Sequence, residues 1–431
     1  MEELKSDLTT TDTVQELQQK LLSKAKSNIG FRFYALYDKL YRRDVLRKAW
    51  EKVKANKGVE GIDGMNLEDI EREGVELFLQ RIEKELKEKS YRPQSSRRVY
   101  IPKPDGRLRP LSIPTIKDRV VQSALRIVIE PIFEADFEDC SYGFRPNRSA
   151  QQAAGEVRKL LNFGYTQVVE TDIEDCFGTI PHRELLDMIA KRIVDGKILW
   201  LVKLILKAGV VTEDNRPASG GTKGTPQGGA ISPLLANIYL NNIDKGWKPI
   251  TNTARLIRYA DDLLILSKYK ADGYKIKLEQ MVNKLKLNLK PQKTRILNAN
   301  QEGFDFLGFR FARKVSPKTN RLTTYYFPAQ KAINNLKQRI RQVVNHRRPK
   351  KAEVIAQELT PILRGWVNYF RVANSAKVFS KVRYYAAQRM RKFICRREQR
   401  SGYGYKRYPD EYLYGKLGLY NDYCISWTKT L

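Results

Sequence analysis

The sequence predicts an α+β fold with a mostly antiparallel sheet, followed by a basic helical domain. Three observations carry that expectation. Apolar runs of strand length meet turn residues or carboxylates in "TQVVETDIEDCF" (166–177), "RLIRYADDLLIL" (255–266) and "FDFLGFRF" (304–311). Helical patterns interleave with these runs without a regular β-α repeat, which argues against a parallel, doubly wound sheet. From about residue 331 the pattern turns helical and strongly basic. Residues 331–431 hold 23 Lys and Arg against 6 Asp and Glu, and residues 331–352 hold no acid at all.

In chain order, "VQELQQKLLSKAKS" (14–27) predicts a short amphipathic helix. "RRDVLRKAWEKVKANKG" (42–58) predicts another, with Gly58 as its stop. Asn66 is placed to cap the next helix, with Asp69 three residues on. "VYIPKPDGRLRPLSIP" (99–114) holds two strand pieces around "PDG", a hairpin pattern. A helix is expected from about Thr115 to Glu134. The stretch from His182 to Ala208 is helical in pattern, and "GTKGTPQGGAISPLLANIYLNNI" (221–243) is a Gly/Pro loop running into an apolar helix. "RLIRYADDLLIL" reads as two strand halves around a turn, residues 268–287 as a helix, and "FDFLGFRF" as one strand alternating at period two. "AINNLKQRIRQVV", "AQELTPILRGWVNYFRV" and "VFSKVRYYAAQRMRKFI" are helical segments of the basic quarter.

The 431 residues suffice for two or three domains with substantial cores. A formal net charge of +32 draws polyanions, and the 23 tyrosines among basic residues favour nucleic acid, since bases stack on rings. A membrane partner is not expected, because no apolar run approaches the roughly 18 residues of a spanning helix. Cys140, Cys176, Cys395 and Cys424 form no C-x-x-C pair, and His182 and His346 are isolated, which argues against a structural zinc site and a disulfide framework. The N-terminus has neither a secretory apolar core nor the character of a transit peptide, so the cytosol is the expected compartment.

The carboxylates hold the sharpest chemical signal. Asp172 ends one apolar strand, and Asp261 and Asp262 sit at a turn between two others. Most Asp-Asp pairs are solvated turn residues. An ionised carboxylate beside a core, however, is costly unless a cation or hydrogen bonds compensate it. Three such groups on neighbouring strand ends suit divalent metal, and hard oxygen ligands without His or Cys point to Mg²⁺. Two such ions can clamp an in-line phosphoryl displacement.

These residues resemble a known family. "YADD" in an apolar hairpin, "TDIEDCF" upstream and "GTPQGGAISPLLANIYL" between them resemble reverse transcriptases, in particular the proteins encoded by bacterial and organellar group II introns. "RRVYIPKPDGRLRPLSIPTIKDRVVQ", "SYGFRPNRSAQQA", "LNLKPQKTRI" and "FDFLGFRF" follow in that family's order, so the resemblance covers roughly residues 40–400. It implies a right-hand-like polymerase. Residues 1–40 would be an N-terminal extension, 41–160 fingers, 161–315 palm, 316–400 an all-helical thumb/maturase domain, and 401–431 a short basic, Tyr-rich tail.

The resemblance also implies roles. Asp172 and Asp261 would ligate two Mg²⁺ ions, Asp262 would support them, and Ile173 would offer its carbonyl. Phe177 would be the steric gate against a ribose 2′-OH, while Asp175 and Cys176 fall where backbone amides cradle the triphosphate of the dNTP. Gln227 would lie beside the nascent base pair, and Tyr259 near the primer 3′ end. Lys293 matches a general acid toward pyrophosphate, and Lys103 and Arg109 match phosphate-binding residues. Leu307 and Gly308 match the primer grip. "LTPILRGWVNYFRVANSAKVF" (359–379) is similar to the maturase domain, in which Trp366 and Phe370 are spaced to pack and the Arg and Lys residues to meet phosphates.

The expected partners are an intron RNA template and a DNA primer or target, in a ribonucleoprotein. With no C-x-x-C and no histidine after His346, the chain is expected to lack the H-N-H endonuclease of many relatives. A mobile element would then take its primer from elsewhere, such as a nascent strand at a replication fork. Two alternatives stand beside this reading: a related reverse transcriptase recruited to a CRISPR or phage-defence locus, and a non-catalytic RNA-splicing cofactor. The three carboxylates weigh against the second, since a relic need not keep costly charges.

Overall fold

A computed structural model describes residues 2–102, 106, 108–212, 217–218, 221–317 and 319–426. Its centre is a four-stranded antiparallel sheet in the order Ala254–Tyr259, Asp262–Ser267, Gln167–Asp172, Arg295–Asn298. The sheet is covered on both faces, which is why its strands read as unbroken apolar runs. Val169, Leu256, Leu263 and Ile265 join one core. Val168, Ile257, Leu264, Leu266 and Leu297 join the other. Alternate residues of "LLIL" thus serve opposite cores.

The first core belongs to the N-terminal half. The helix Ile116–Glu134 runs through it, and its start is capped by Thr115, whose Oγ1 accepts from the Asp118 N–H at 3.1 Å. The helices Glu2–Ser27 and Arg43–Ala55 pack on it. Val14, Leu17, Leu21 and Ala25 are buried at helical spacing within the expected 14–27, and the helix itself begins earlier, at Glu2. Asn66 and Asp69 form the expected capping box of Leu67–Glu73. The strands Ser96–Pro102 and Leu108–Ile113 pair antiparallel, as the "PDG" hairpin requires. Ser96–Pro102 also makes a short parallel pair with Val210–Val211, which is continued by Pro217–Ala218.

The second core joins the other face of the central sheet to a three-stranded sheet (Phe304–Phe306, Phe309–Val315, Leu322–Pro328) and three helices, Gln330–Val343, Ala352–Phe370 and Ala376–Arg397. Trp366 and Phe370 pack together, with ring centroids 4.8 Å apart.

Two expectations change here. "FDFLGFRF" is a hairpin rather than one strand. Phe306 and Phe309 are three residues apart, so in one strand the two phenylalanine pairs would face opposite ways, whereas across a two-residue turn Phe306 lies opposite Phe309 and Phe304 opposite Phe311, and all four face one side. The segment from 316 is not all helical, because Leu322–Pro328 pairs along the full length of Phe309–Val315. In the Tyr-rich C-terminal segment, Tyr408, Leu413, Leu417, Leu419 and Tyr420 are buried in the second core.

Candidate active site

Strand register sets the carboxylates. Asp172, the last residue of its strand, lies opposite Asp262, the first of its neighbour. Tyr259 lies opposite Asp262 on the other side, so Ala260 and Asp261 form a two-residue turn. Ala260 takes φ 57°, a left-handed conformation that a side chain makes costly. The Ile173 N–H donates to the Asp261 carbonyl at 3.1 Å, tying the turn to the end of the central strand. The Lys290 N–H donates to the Asp172 carbonyl at 2.8 Å.

A buried network braces the turn from behind. The Arg258 side chain has no exposed surface and forms a fork on Asp244, with Nε to Oδ1 at 2.9 Å and Nη2 to Oδ2 at 2.6 Å. Its Nη1 donates to Asn237 Oδ1 at 2.9 Å and to the Ala260 carbonyl at 3.1 Å, and Nη2 also donates to Ser141 Oγ at 2.7 Å. The loop at 140–143 pairs with the strand through the Arg258 N–H to the Cys140 carbonyl and the Tyr142 N–H to the Arg258 carbonyl. A Cβ on Gly143 would collide with the Ala260 backbone, so the "SYGF" loop approaches the turn closely only as glycine. Sequence reasoning passed over Arg258. The signal available was an arginine inside an apolar strand, where a cation is buried only with a partner.

One cavity of about 450 Å³ gathers the predicted residues. Asp172, Ile173, Asp175, Cys176, Phe177, Gln227, Asp261, Asp262, Lys293 and Arg109 all line it. Lys290 and Lys331 line it as well, and neither was singled out from the sequence. Lys331 comes from the first C-terminal helix, so the cavity has walls from both halves of the chain. Lys103 lies outside the described residues. Tyr259 is half-buried against the second core, next to Tyr369, whose phenol is pushed up to about 12 by burial and then by Tyr259.

The electrostatics are those of buried, crowded carboxyls. Burial, then Asp261 and Glu170, pushes the Asp262 carboxyl up to about 6. Burial also raises Asp261, against a lowering pull from Arg109 and Lys290. Lys293 forms an ion pair with Asp172. Among the described residues no three acidic, His or Cys side chains close into a complete metal cage. The donors that Asp172, Asp261, Asp262 and the Ile173 carbonyl offer to the cavity are all oxygen, a set that suits a hard divalent ion such as Mg²⁺.

The remaining walls are backbone-rich. Asp175 takes φ 39° and accepts from Gln227 Nε2 at 3.3 Å. A Cβ on Gly228 would collide with the Ser112 carbonyl oxygen, so this loop packs directly on the strand Leu108–Ile113. The Thr225 N–H donates to the Phe177 carbonyl at 2.6 Å, joining the "PQGG" loop to Phe177. At the hairpin 306–309, Leu307 and Gly308 take φ 49° and 79°. The Tyr369 hydroxyl donates to the Leu307 carbonyl at 2.9 Å.

Residues 101–311 match the model of the reverse transcriptase (RNA-dependent DNA polymerase) family, and residues 333–410 match the maturase-specific domain of group II introns. The chain is also 35 % identical over 370 residues to protein YkfC of Escherichia coli, covering 74 % of this chain and 94 % of that one. The chain belongs to the group II intron-encoded reverse transcriptase/maturase family.

This reverse transcriptase/maturase is 39 % identical over 230 residues to the group II intron-encoded protein LtrA of Lactococcus lactis, covering 53 % of this chain and 37 % of LtrA. It is 37 % identical over 216 residues to an uncharacterised 91 kDa protein in the cob intron of Schizosaccharomyces pombe, covering 48 % of this chain and 25 % of that protein. The chain thus spans nearly all of YkfC but well under half of the other two. Among the described residues no helix is long and apolar enough to cross a membrane.

Proposed function

We propose that the protein copies intron RNA into DNA at the cavity beneath the Tyr259–Asp262 turn, and that its C-terminal helices bind the intron RNA to assist splicing and retrohoming. The observation that carries this reading is one cavity in which four carboxylates, four cations and Phe177 converge. Asp172, Asp261, Asp262 and the Ile173 carbonyl are the groups to hold two Mg²⁺ ions. When bound, these ions supply Lewis-acid activation of the primer 3′-OH and neutralise charge on the leaving pyrophosphate.

The chain's own residues do the rest. The primer 3′-OH gives up its proton to water, and its oxygen bonds to the α-phosphorus of the dNTP as the bond to the pyrophosphate oxygen breaks. Arg109, Lys290 and Lys331 face the triphosphate, where guanidinium suits bidentate contact. Lys293 leaves Asp172 and gives a proton to the departing pyrophosphate. Phe177 fills the volume a ribose 2′-OH needs, and Gln227, held by Asp175, lies against the nascent base pair. The Tyr259 ring supports the primer terminus, with the Leu307–Gly308 turn on its other side.

The test is primer extension on poly(rA)/oligo(dT) with Mg²⁺. Asp172→Ala and Asp261→Ala each lower the rate by at least about a hundredfold, the scale of losing a preorganised electrostatic group. Both leave RNA binding within about twofold of the wild type, since the contacts that set RNA affinity are cationic. Near-normal extension by either variant would sink the assignment.

A further inference from the structure

The last long helix, Ala376–Arg397, and the loop after it build a surface apart from the residues that line the cavity. Tyr384, Tyr403 and Tyr405 are 57 %, 40 % and 44 % exposed. The Tyr384 and Tyr405 hydroxyls share a hydrogen bond at 2.9 Å, and the Tyr403 and Tyr405 rings lie 5.8 Å apart, tilted by 38°. Cations back the rings: the Arg391 guanidinium lies 5.0 Å from the Tyr405 centroid, and the Lys392 ammonium 5.5 Å from that of Tyr403.

The loop is shaped to hold the rings there. Gly402 and Gly404 take φ 82° and 64°, and a Cβ on Gly404 would come within 2.6 Å of Cys395 Sγ and 2.9 Å of the Tyr408 ring. Arg391, only 5 % exposed, donates from Nε to the Tyr408 carbonyl at 2.7 Å and pairs with Asp410. A buried guanidinium bonded in this way fixes the loop to the helix, because losing either partner would strand a charge.

Rings left in water add little to the fold, so a cluster of three calls for a partner. The surrounding charge names its sign: Lys381, Lys406 and Arg407 are exposed beside the cluster. A second copy would present the same positive surface and be repelled, whereas nucleic acid is attracted. We propose that Tyr384, Tyr403 and Tyr405 form a platform on which unpaired bases of the intron RNA stack. This rests on the maturase reading and narrows it to single-stranded segments. Paired bases are already stacked within their helix, whereas loop and bulge nucleotides can be splayed onto aromatic faces.

The test uses an unstructured single-stranded RNA oligonucleotide carrying 4-thiouridine and a blunt RNA duplex of equal length. The triple change Tyr384→Ala, Tyr403→Ala, Tyr405→Ala lowers affinity for the single strand by about tenfold or more, the scale of base–ring stacking, and leaves the duplex unaffected. The corresponding triple Phe variant, which keeps the rings, binds within about twofold of the wild type, well short of a stacking loss. Ultraviolet cross-links map to the three tyrosines, and extension on poly(rA)/oligo(dT) is unchanged in both variants. Equal single-strand affinity of the Ala variant and the wild type overturns the platform and leaves the polymerase reading intact. So does an equal loss in the Phe variant, which would make the hydroxyls the contact, or a dimer in sedimentation that the Ala change dissolves. A wild-type protein that binds neither RNA overturns the platform and the maturase reading together.

Discussion

Arg258 donates five hydrogen bonds with no exposed surface, and one of them ends on the carbonyl of Ala260, inside the turn that presents Asp261. A lysine cannot reproduce that fork. Arg258→Lys is expected to lower both the melting temperature and the extension rate. Arg258→Met alone strands Asp244 and costs about 3–5 kcal/mol. Adding Asp244→Leu recovers the melting temperature but not the extension rate, because the Ala260 carbonyl still lacks its donor. Recovery of both would make the network purely structural.

The raised carboxyls carry a second residue-level prediction. Asp262 sits at about 6, against an ordinary 3.8, so the folded protein holds its proton more tightly than the unfolded chain does. In metal-free buffer the folded state therefore loses stability as pH rises from about 4 through about 6. Asp262→Asn removes that cost. In EDTA the variant should melt above the wild type at pH 7.5, with the gain shrinking toward zero at pH 4. The same gain at both pH values would place the effect in packing rather than charge.

At the scale of elements, the Leu307–Gly308 turn shows how far local pattern reaches. Two phenylalanine pairs are legible in "FDFLGFRF", and the step of three from Phe306 to Phe309 keeps all four on one side only across a two-residue turn. The turn takes a left-handed backbone at both of its residues, which "LG" signals only weakly because leucine seldom adopts it. Leu307 is held there by the Tyr369 hydroxyl and by neighbours in the second core. Leu307→Gly relieves about 1–2 kcal/mol of left-handed strain, so the melting temperature should hold or rise. If Leu307 contacts the primer, the KM for primer–template rises in the same variant. An unchanged KM would remove this turn from the primer's path. Elements with strong local signals needed no such help: the Asn66–Asp69 capping box and the Thr115 cap stand where their residue types place them.

On the scale of the whole molecule, the central sheet divides two cores and is itself stable only with both in place. The helix Ala150–Asn162 packs on the strands that hold Ile257, Leu264 and Leu266, and the C-terminal helices complete the core around it. A chain ending at residue 328 would leave that second core open to water and should aggregate or lose near-UV circular dichroism, while the full chain melts in one cooperative transition. A soluble, native-like 1–328 chain would show the halves to be independent.

The same division separates what the sequence by itself determined from what only the tertiary structure decided. Composition determined a net charge of +32, which draws polyanions, and the apolar flanks of Asp172, Asp261 and Asp262 determined that these carboxylates stand at strand ends beside a core. Turn residues and apolar periodicity act over a few neighbours, so they are readable without a fold. The tertiary structure decided that Arg258 braces the turn, that Lys331 reaches the cavity from the far half of the chain, and that three tyrosines share one exposed surface. Each of these depends on sheet register and on which helix packs across which core. Those are set by the joint burial of residues far apart in sequence, and no local pattern carries that information.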